Sequence, residues 1–283
     1  MLCRCVVGFG HDASSAVFKY DTLSSQCNPR WVSFVNIQVL GCSGGLSGDN
    51  KNGSTCVQLR SDIVIDAGTG LNRLSLAQMR QVRHVFLTHS HMDHIAALPT
   101  FLSNQYDSEH LPVTVYALPH TLAKLRDNIF NGDIWPELSS MTEGAGAILK
   151  FEEIQPGHCV DIDDMSIKAF EVEHSVPTIG YSVKNNDQHF VFCADTIAGS
   201  VLTQQLNALG DIDTLMLECA FPDELMDVAQ KTKHMTPSLL REALASLKQQ
   251  PKKLWVTHLK PSYEAQLREL LTKTPPHKNT VVL

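Results

Sequence analysis

Long apolar runs are missing from this sequence of 283 residues. No stretch approaches the length of about 20 apolar residues that a membrane-spanning helix needs. The first residues also lack the apolar core of a signal peptide. We therefore expect a cytoplasmic protein that does not associate with a membrane.

Positive charge is scarce as well. Lysine and arginine together number 23 against 30 aspartate and glutamate residues, which gives a formal net charge of -7. Proteins that bind nucleic acids normally present a basic face, so we expect no nucleic-acid partner. The acidic balance does not exclude an anionic substrate, because bound metal cations can dominate the field of a site.

A clear disulfide framework is also lacking, although the chain contains 8 cysteines. Several of them stand within apolar runs such as Phe190–Cys193, where a free thiol packs like a small apolar side chain. In a chain of this size, buried free thiols in a reducing compartment are the better interpretation. Cys3 and Cys5 are only a weak metal-binding signal, since no second pair of thiols accompanies them.

The hydrophobic fraction of 43% is sufficient for one large layered domain. Residues 1–30 lack clear periodicity and are predicted to be an N-terminal extension of unclear structure, while residues 31–283 form the domain. Strand-like runs come in two batches with helices between and after them, for example the strand 85–87 and the helices 71–81 and 200–209. This order predicts an α/β fold in which two sheets pack face to face with helices outside, an αββα sandwich.

The segment that follows strand 85–87 is rich in metal-binding side chains. His89, His91, Asp93 and His94 fall within six residues. Because alternate side chains at a strand end point the same way, His89 and His91 can share one ion, and Asp93 and His94 can reach a second. Imidazole combined with carboxylate suits zinc, and also manganese or iron. We therefore predict two divalent metal ions.

One loop cannot close such a site, so further ligands must come from other strand ends. His174, Asp195 and His258 each follow an apolar run that is typical of a core strand. Each could be a structural residue when taken alone. Together with the first segment they supply five histidines and two aspartates, and Asp195 could bridge both ions.

These motifs carry a family resemblance. The segment His89–His94 matches the signature of the metallo-β-lactamase superfamily, and Ile65–Gly68 resembles its earlier aspartate motif. From about residue 36 to residue 265 the chain resembles most closely the bacterial class II 3′,5′-cyclic-nucleotide phosphodiesterases. Met92 stands where that family usually has Leu, and Ala97 where many superfamily members have Gly. Further matching segments are Leu40–Gly45, Glu173–Pro177, Cys193–Thr196, Leu217–Phe221, Lys233–Pro237 and Thr257–Pro261.

The resemblance implies a complete binuclear site. It implies that Asp66 supports the metal loop from outside the ligand set. It also implies that a metal-bound hydroxide attacks the phosphorus of a 3′,5′-cyclic nucleotide, with cyclic AMP favoured, and yields a 5′-nucleotide. The implied ligands are His89, His91 and His174 for the first metal, Asp93, His94 and His258 for the second, and Asp195 as the bridge.

The resemblance also assigns the proton that the leaving 3′-oxygen needs. His234 would be the general acid and Glu218 would keep it protonated, with Asp93 counted among the catalytic residues. Alternatively, Glu218 pairs with a backbone amide and His234 caps the helix that starts at Pro237. Lys260 either touches a phosphate or is simply solvated.

Other functions are compatible with the same scaffold. A tRNA 3′-processing endonuclease would need a long basic arm, whereas residues 100–150 hold only Lys124, Arg126 and Lys150 as basic residues. A lactonase or thioesterase stays open because a fold does not fix a substrate. An inactive scaffold protein would usually lack ligands, and here every position is filled. The expected partner is a small-molecule cyclic nucleotide; the native metal and the oligomeric state, a homodimer included, stay open.

Overall fold

The computed structural model describes residues 37–46, 53–105, 112–140, 147–185 and 187–283. The predicted N-terminal extension, residues 1–30, lies outside these ranges. Within them the strands form two seven-stranded sheets, each built from one half of the chain.

The first sheet has the strand order β2-β1-β3-β4-β5-β6-β7. Its strands β4 to β7 are parallel. The strands of this sheet are β1 Gln38–Ser43, β2 Gly53–Ser54, β3 Cys56–Arg60, β4 Ile63–Ile65, β5 His84–Phe86, β6 Val113–Ala117 and β7 Leu149–Glu153.

The second sheet has the order β14-β13-β12-β11-β10-β9-β8. Strands β8 to β11 are antiparallel, and β11 to β14 are parallel. The strands of this sheet are β8 Cys159–Ile162, β9 Met165–Val172, β10 Thr178–Lys184, β11 His189–Phe192, β12 Thr214–Glu218, β13 Lys253–Thr257 and β14 Thr280–Val282.

Helices connect the strands and cover the sheets. Short 3-10 turns stand at Thr69–Arg73, Asp223–Leu225 and Pro261–Tyr263. The α-helices are α1 Leu76–Met79, α2 Met92–Ile95, α3 Leu98–Ser103, α4 Pro119–Asn128, α5 Ser200–Leu209, α6 Met226–Thr232, α7 Pro237–Ala245 and α8 Glu264–Lys273.

The two sheets pack face to face through one hydrophobic core. Ile65 and Phe86 of the first sheet meet Tyr181 and Phe192 of the second in this core. Strand β4 is apolar throughout because both of its faces are buried. Its central residue, Val64, points away from the other sheet and packs in a separate core.

Helices bury the outer face of each sheet. Leu98 of α3 and Leu122 of α4 pack in one core with Val85, and Leu202 of α5 packs in another with Val191. The four layers are therefore helix, sheet, sheet and helix, and the predicted αββα sandwich is confirmed.

Of the two helices predicted from the sequence at 71–81 and 200–209, one is present as a single helix and the other is divided. The helix predicted at 200–209 is α5, but the continuous helix predicted at 71–81 is wrong. Leu74 has an extended backbone, and the capping box that Ser75 forms with Gln78 starts a new helix, so the segment splits into a 3-10 turn and α1.

The sequence predicts buried free thiols and no membrane-spanning helix, and both predictions can be compared with the described residues. The five cysteines among them are free, and four of these are buried. No helix in the described ranges has both the length and the apolar character that crossing a bilayer requires.

Candidate metal centre

Five strand ends converge on one edge of the sandwich. In the first sheet β4 and β5 are parallel, and in the second sheet β9 runs in the same direction as β11 because β10 is antiparallel to both. The carboxyl ends of β11 and β13 also coincide, since β11, β12 and β13 are parallel. The predicted residues Asp66, His89, His174, Asp195 and His258 stand just after these ends.

The first ligand group is His89, His91, His174 and Asp195. Each offers a donor atom, and these atoms lie within 4.8 Å of one another. The Nε2 of His174 is 3.2 Å from the Nδ1 of His91. The Oδ2 of Asp195 is 3.8 Å from the Nε2 of His89 and 3.9 Å from the Nε2 of His174.

The second ligand group is Asp93, His94 and His258, whose donor atoms also lie within 4.8 Å of one another. Asp93 and His94 belong to α2, a single helical turn that begins directly after His91. Asp195 reaches this group as well: its Oδ1 is 3.3 Å from the Nε2 of His94, and its Oδ2 is 3.2 Å from the Nε2 of His258. One carboxylate therefore stands between the two groups, at the position where the sequence predicts a bridging ligand.

Hydrogen bonds fix the outer ring nitrogen of three histidines and leave the inner nitrogen available. The Nδ1–H of His94 donates to Asp66 Oδ2 at 2.7 Å. The Nδ1 of His89 lies 2.9 Å from the hydroxyl of Thr88, and the Nδ1 of His174 lies 3.2 Å from the carbonyl oxygen of Lys233. Metal-binding histidines typically have such outer partners.

The donor set fits a divalent cation. Among the described residues, the Nε2 atom of His89 is buried and makes no hydrogen bond. A buried polar atom without a partner is costly in a folded protein, and a cation at this position would satisfy it. Imidazole and carboxylate donors are the usual ligands of zinc and other transition metals.

Asp66 supports residues of both ligand groups. The sequence resemblance implied only that it supports the metal loop His89–His94. Its carboxylate accepts hydrogen bonds from His94 and from both the amide and the hydroxyl of Thr88. Because the Thr88 hydroxyl donates to Asp66, it accepts the Nδ1–H of His89. Sequence reasoning missed Thr88, whose one signal is its position between the apolar strand and the first histidine.

His94 of the second group differs in its electrostatic surroundings from His89 and His174 of the first, whereas burial lowers the pKa of His258 in the second group to about 3. Burial lowers the pKa of His89 well below its usual value and lowers that of His174 to about 4, so both are neutral and able to bind a cation. Burial also lowers the pKa of His94, but the charges of Asp195 and Asp66 outweigh burial and raise this pKa well above the usual value.

Backbone strain is concentrated around the site. Among the described residues, five non-glycine residues have positive φ, and four of them adjoin the site: Asp66 (58°), Ala194 (55°), Lys233 (56°) and His258 (60°). Each such conformation costs on the order of 1–3 kcal/mol and persists only where the surroundings enforce it. Here it orients Asp66 and His258 directly, and it orients Asp195 and His234 through the preceding residue.

The Glu218–His234 pair lies beside both ligand groups. Glu218 is fully buried; its Oε1 accepts hydrogen bonds from His234 Nδ1 at 2.7 Å and from the amide of Thr196, and its Oε2 accepts from the amide of Met235. A donor atom of His234 lies within 4.8 Å of those of Asp195 and His258. The pair predicted from the sequence is therefore formed.

Of the two alternative roles for Glu218 and His234, the structure shows the first and not the second. Glu218 does bind backbone amides, in addition to His234. His234 does not cap α7, because the cap is Thr236, whose hydroxyl accepts from the amide of Leu239.

The charge state of the pair follows from its hydrogen bonds. Burial raises the pKa of Glu218, yet three donors converge on its oxygens, and such donors favour the carboxylate. Burial lowers the pKa of His234, but the charge of Glu218 and its hydrogen bond outweigh burial and raise it. His234 therefore holds a proton to higher pH than an ordinary histidine, at the edge of the ligand groups.

Comparison with known proteins identifies the family. Residues 61–259 match the sequence profile of the beta-lactamase superfamily domain. The chain belongs to the beta-lactamase superfamily. The matched region covers more than half of the chain and includes every candidate ligand of both groups.

Individual relatives and one solved structure resemble the chain. A probable 3′,5′-cyclic-nucleotide phosphodiesterase of Yersinia pestis is 24% identical over 225 residues, 69% of this chain and 62% of the relative. Ribonuclease Z of Natronomonas pharaonis is 29% identical over 156 residues, 53% of this chain and 47% of the relative. The chain thus spans less than two thirds of the length of these relatives. The crystal structure of unliganded yeast PDE1 shares the fold, with a TM-score of 0.69 and 16% identity over 87% of this chain and 96% of that chain.

Proposed function

We propose that this chain is a metal-dependent phosphodiesterase that hydrolyses 3′,5′-cyclic nucleotides, cyclic AMP in particular, to 5′-nucleotides. The observation that carries the proposal is the Glu218–His234 pair beside the two ligand groups. An alkoxide leaving group needs a proton from a positioned acid. The relative from Yersinia pestis supports a cyclic nucleotide as the phosphodiester.

Each ligand group would hold one divalent ion. His89, His91 and His174 would hold the first ion, while the second ligand group would hold the other, with Asp195 shared between them. Zinc is the ion that these donors suit best, and manganese or iron is compatible with them. When bound, such ions supply Lewis acidity and lower the pKa of a coordinated water to about 7.

The protein's own residues would position the substrate bond and move the proton. In the hydrolysis, a water oxygen bonds to phosphorus and its proton is released to solvent. The P–O3′ bond breaks as the 3′-oxygen takes the proton of His234, and His234 then regains a proton from solvent. Glu218 keeps the imidazole in the orientation that presents this proton, because it accepts the hydrogen bond of Nδ1. Thr196 and Met235 in turn hold the carboxylate through their backbone amides.

Cleavage of tRNA is the second candidate, because relatives named ribonuclease Z also align with this chain. Both reactions hydrolyse a phosphodiester, so the site alone supports either. The net charge of -7 and the scarcity of basic residues between 100 and 150 favour a small substrate over a nucleic acid. We therefore propose a small-molecule cyclic nucleotide as the partner and retain the cytoplasm as the predicted location.

A substrate panel with the metal-loaded protein tests the proposal. The panel contains cyclic AMP, cyclic GMP, bis(p-nitrophenyl) phosphate, an acyl lactone and a pre-tRNA. We expect cyclic AMP to give 5′-AMP, and His234→Gln to lower this turnover by about 100- to 10,000-fold with unchanged metal content. The same variant should affect bis(p-nitrophenyl) phosphate far less, since nitrophenolate leaves without protonation.

His158→Gln is the matched control, because His158 is exposed and lies away from the site. It should leave every rate unchanged. Cleavage of the lactone or the pre-tRNA with no cleavage of cyclic nucleotides would overturn the proposed substrate. An equal loss on both phosphodiesters in His234→Gln would overturn the role of His234 as the acid.

A further inference from the structure

Lys260 has its side-chain nitrogen next to the second ligand group. The Nζ lies 3.4 Å from the Nε2 of His258 and 3.9 Å from the Oδ2 of Asp93. The side chain of Lys260 is 26% exposed, so the ammonium stands at the boundary between the site and solvent.

The backbone of Lys260 is held independently of its side chain. Its amide donates to the carbonyl of Ala220 at 3.2 Å, and its carbonyl accepts from the amide of Tyr263 at 2.8 Å. Lys260 thereby begins the 3-10 turn Pro261–Tyr263. The position of the side chain next to His258 thus follows from a fixed backbone, and replacing the side chain leaves these bonds in place.

The ammonium of Lys260 shares its carboxylate partner with the second ligand group. Among the described residues, the carboxylate within ion-pair distance of its Nζ is Asp93, and Asp93 is itself a member of the second ligand group. A cation in that group would compete for the same carboxylate and would lie close to the ammonium. Two neighbouring positive charges repel each other unless an anion lies between them.

We propose that Lys260 binds a non-bridging oxygen of the substrate phosphate, next to the second ligand group. This inference rests on the proposed function, since it assumes a phosphodiester at the site. An ammonium is a flexible point charge that suits a phosphate oxygen, and a phosphate oxygen between the ammonium and the cation would relieve their repulsion. Lys260 therefore makes the site selective for an anionic substrate over a neutral ester or lactone.

The proposal predicts two effects of opposite sign for Lys260→Gln. Removing the charge removes the repulsion, so the second equivalent of zinc should bind several-fold more tightly. Removing the ammonium also removes a charged hydrogen bond to phosphate, so inorganic phosphate should bind the zinc-loaded protein about 10- to 100-fold more weakly. Lys260→Arg keeps the charge and should restore most of the phosphate affinity.

The experiment measures zinc affinity by chelator competition and phosphate affinity by calorimetry, the latter at saturating zinc. Lys252→Gln is the matched control, because it makes the same change in charge at a side chain that is 74% exposed and pairs with Asp213. It should change neither affinity. A phosphate affinity unchanged in Lys260→Gln, or zinc and phosphate affinities that both fall, would overturn the proposal.

Turnover gives a separate readout. With cyclic AMP as substrate, Lys260→Gln should lower kcat/KM, with a rise in KM, while Lys252→Gln should not. If the wild-type protein cleaves no cyclic nucleotide, the proposed function fails. The phosphate and zinc measurements need no turnover, so they still decide the role of Lys260.

Discussion

The two ligand groups share Asp195 but differ in what surrounds them. In the first group, burial keeps His89 and His174 neutral, and their outer nitrogens face a hydroxyl and a backbone carbonyl. In the second group, His94 lies between two buried carboxylates, and Lys260 stands beside His258. The first group can therefore bind a cation without losing a proton. In the second group, a cation must displace the proton of His94 and lie close to the ammonium of Lys260.

Loss of the shared carboxylate should have the largest effect. Asp195→Asn keeps the shape of the side chain but removes the negative charge that both groups use. Because loss of an outer partner alone typically costs 10- to 100-fold, we expect loss of this ligand to lower cyclic AMP turnover by more than about 100-fold. Metal content, measured by elemental mass spectrometry, should fall below that of the wild type.

Asp213→Asn is the control for this change. Asp213 pairs with Lys252 at the surface, so its replacement should leave the metal content unaltered. Wild-type metal content in Asp195→Asn would mean that the carboxylate does not join the two groups.

The number of protons released on zinc binding should differ between the two groups. This effect is smaller than the loss of turnover expected for Asp195→Asn. Because the charges of Asp195 and Asp66 raise the pKa of His94, this histidine holds its proton to higher pH in the metal-free protein than His89 or His174 does, and a metal must displace that proton. We expect filling of the second group to release about one proton more than filling of the first. Calorimetric zinc titrations in buffers of different ionisation enthalpy measure this difference.

Asp66→Asn tests whether Asp66 helps to hold the proton on His94. It removes one of the two charges that hold the proton on His94, so less proton should be released, and zinc affinity should fall about 10- to 100-fold. Asp62→Asn is the matched control, since Asp62 pairs with Arg60. Equal proton release from both groups in the wild-type protein would contradict the electrostatic difference between them.

Some of this site follows from the sequence because it depends on local order. His89, His91, Asp93 and His94 lie within one strand end and one helical turn, so their spacing alone brings them together. The more distant ligands could be predicted because carboxyl ends of strands that run in the same direction meet at one edge of the sandwich. The layer order likewise follows from apolar strands that are buried on both faces.

Other parts depend on tertiary contacts that no local pattern encodes. The bond from His174 to the carbonyl of Lys233 joins segments 59 residues apart, and Lys233 itself has a left-handed backbone. The hydroxyl of Thr88 gains its role only where the strand meets Asp66. Strand β8 escapes the sequence pattern because it lies at a sheet edge and is partly exposed, so it lacks a continuous apolar run.

The most direct test of the two-group account is an anomalous difference map at the zinc absorption edge from crystals of the zinc-loaded protein. The account predicts two peaks about 3.5–4 Å apart, one among His89, His91 and His174 and the other among Asp93, His94 and His258, with Asp195 between them. A single peak, or two peaks that do not involve Asp195, would contradict it.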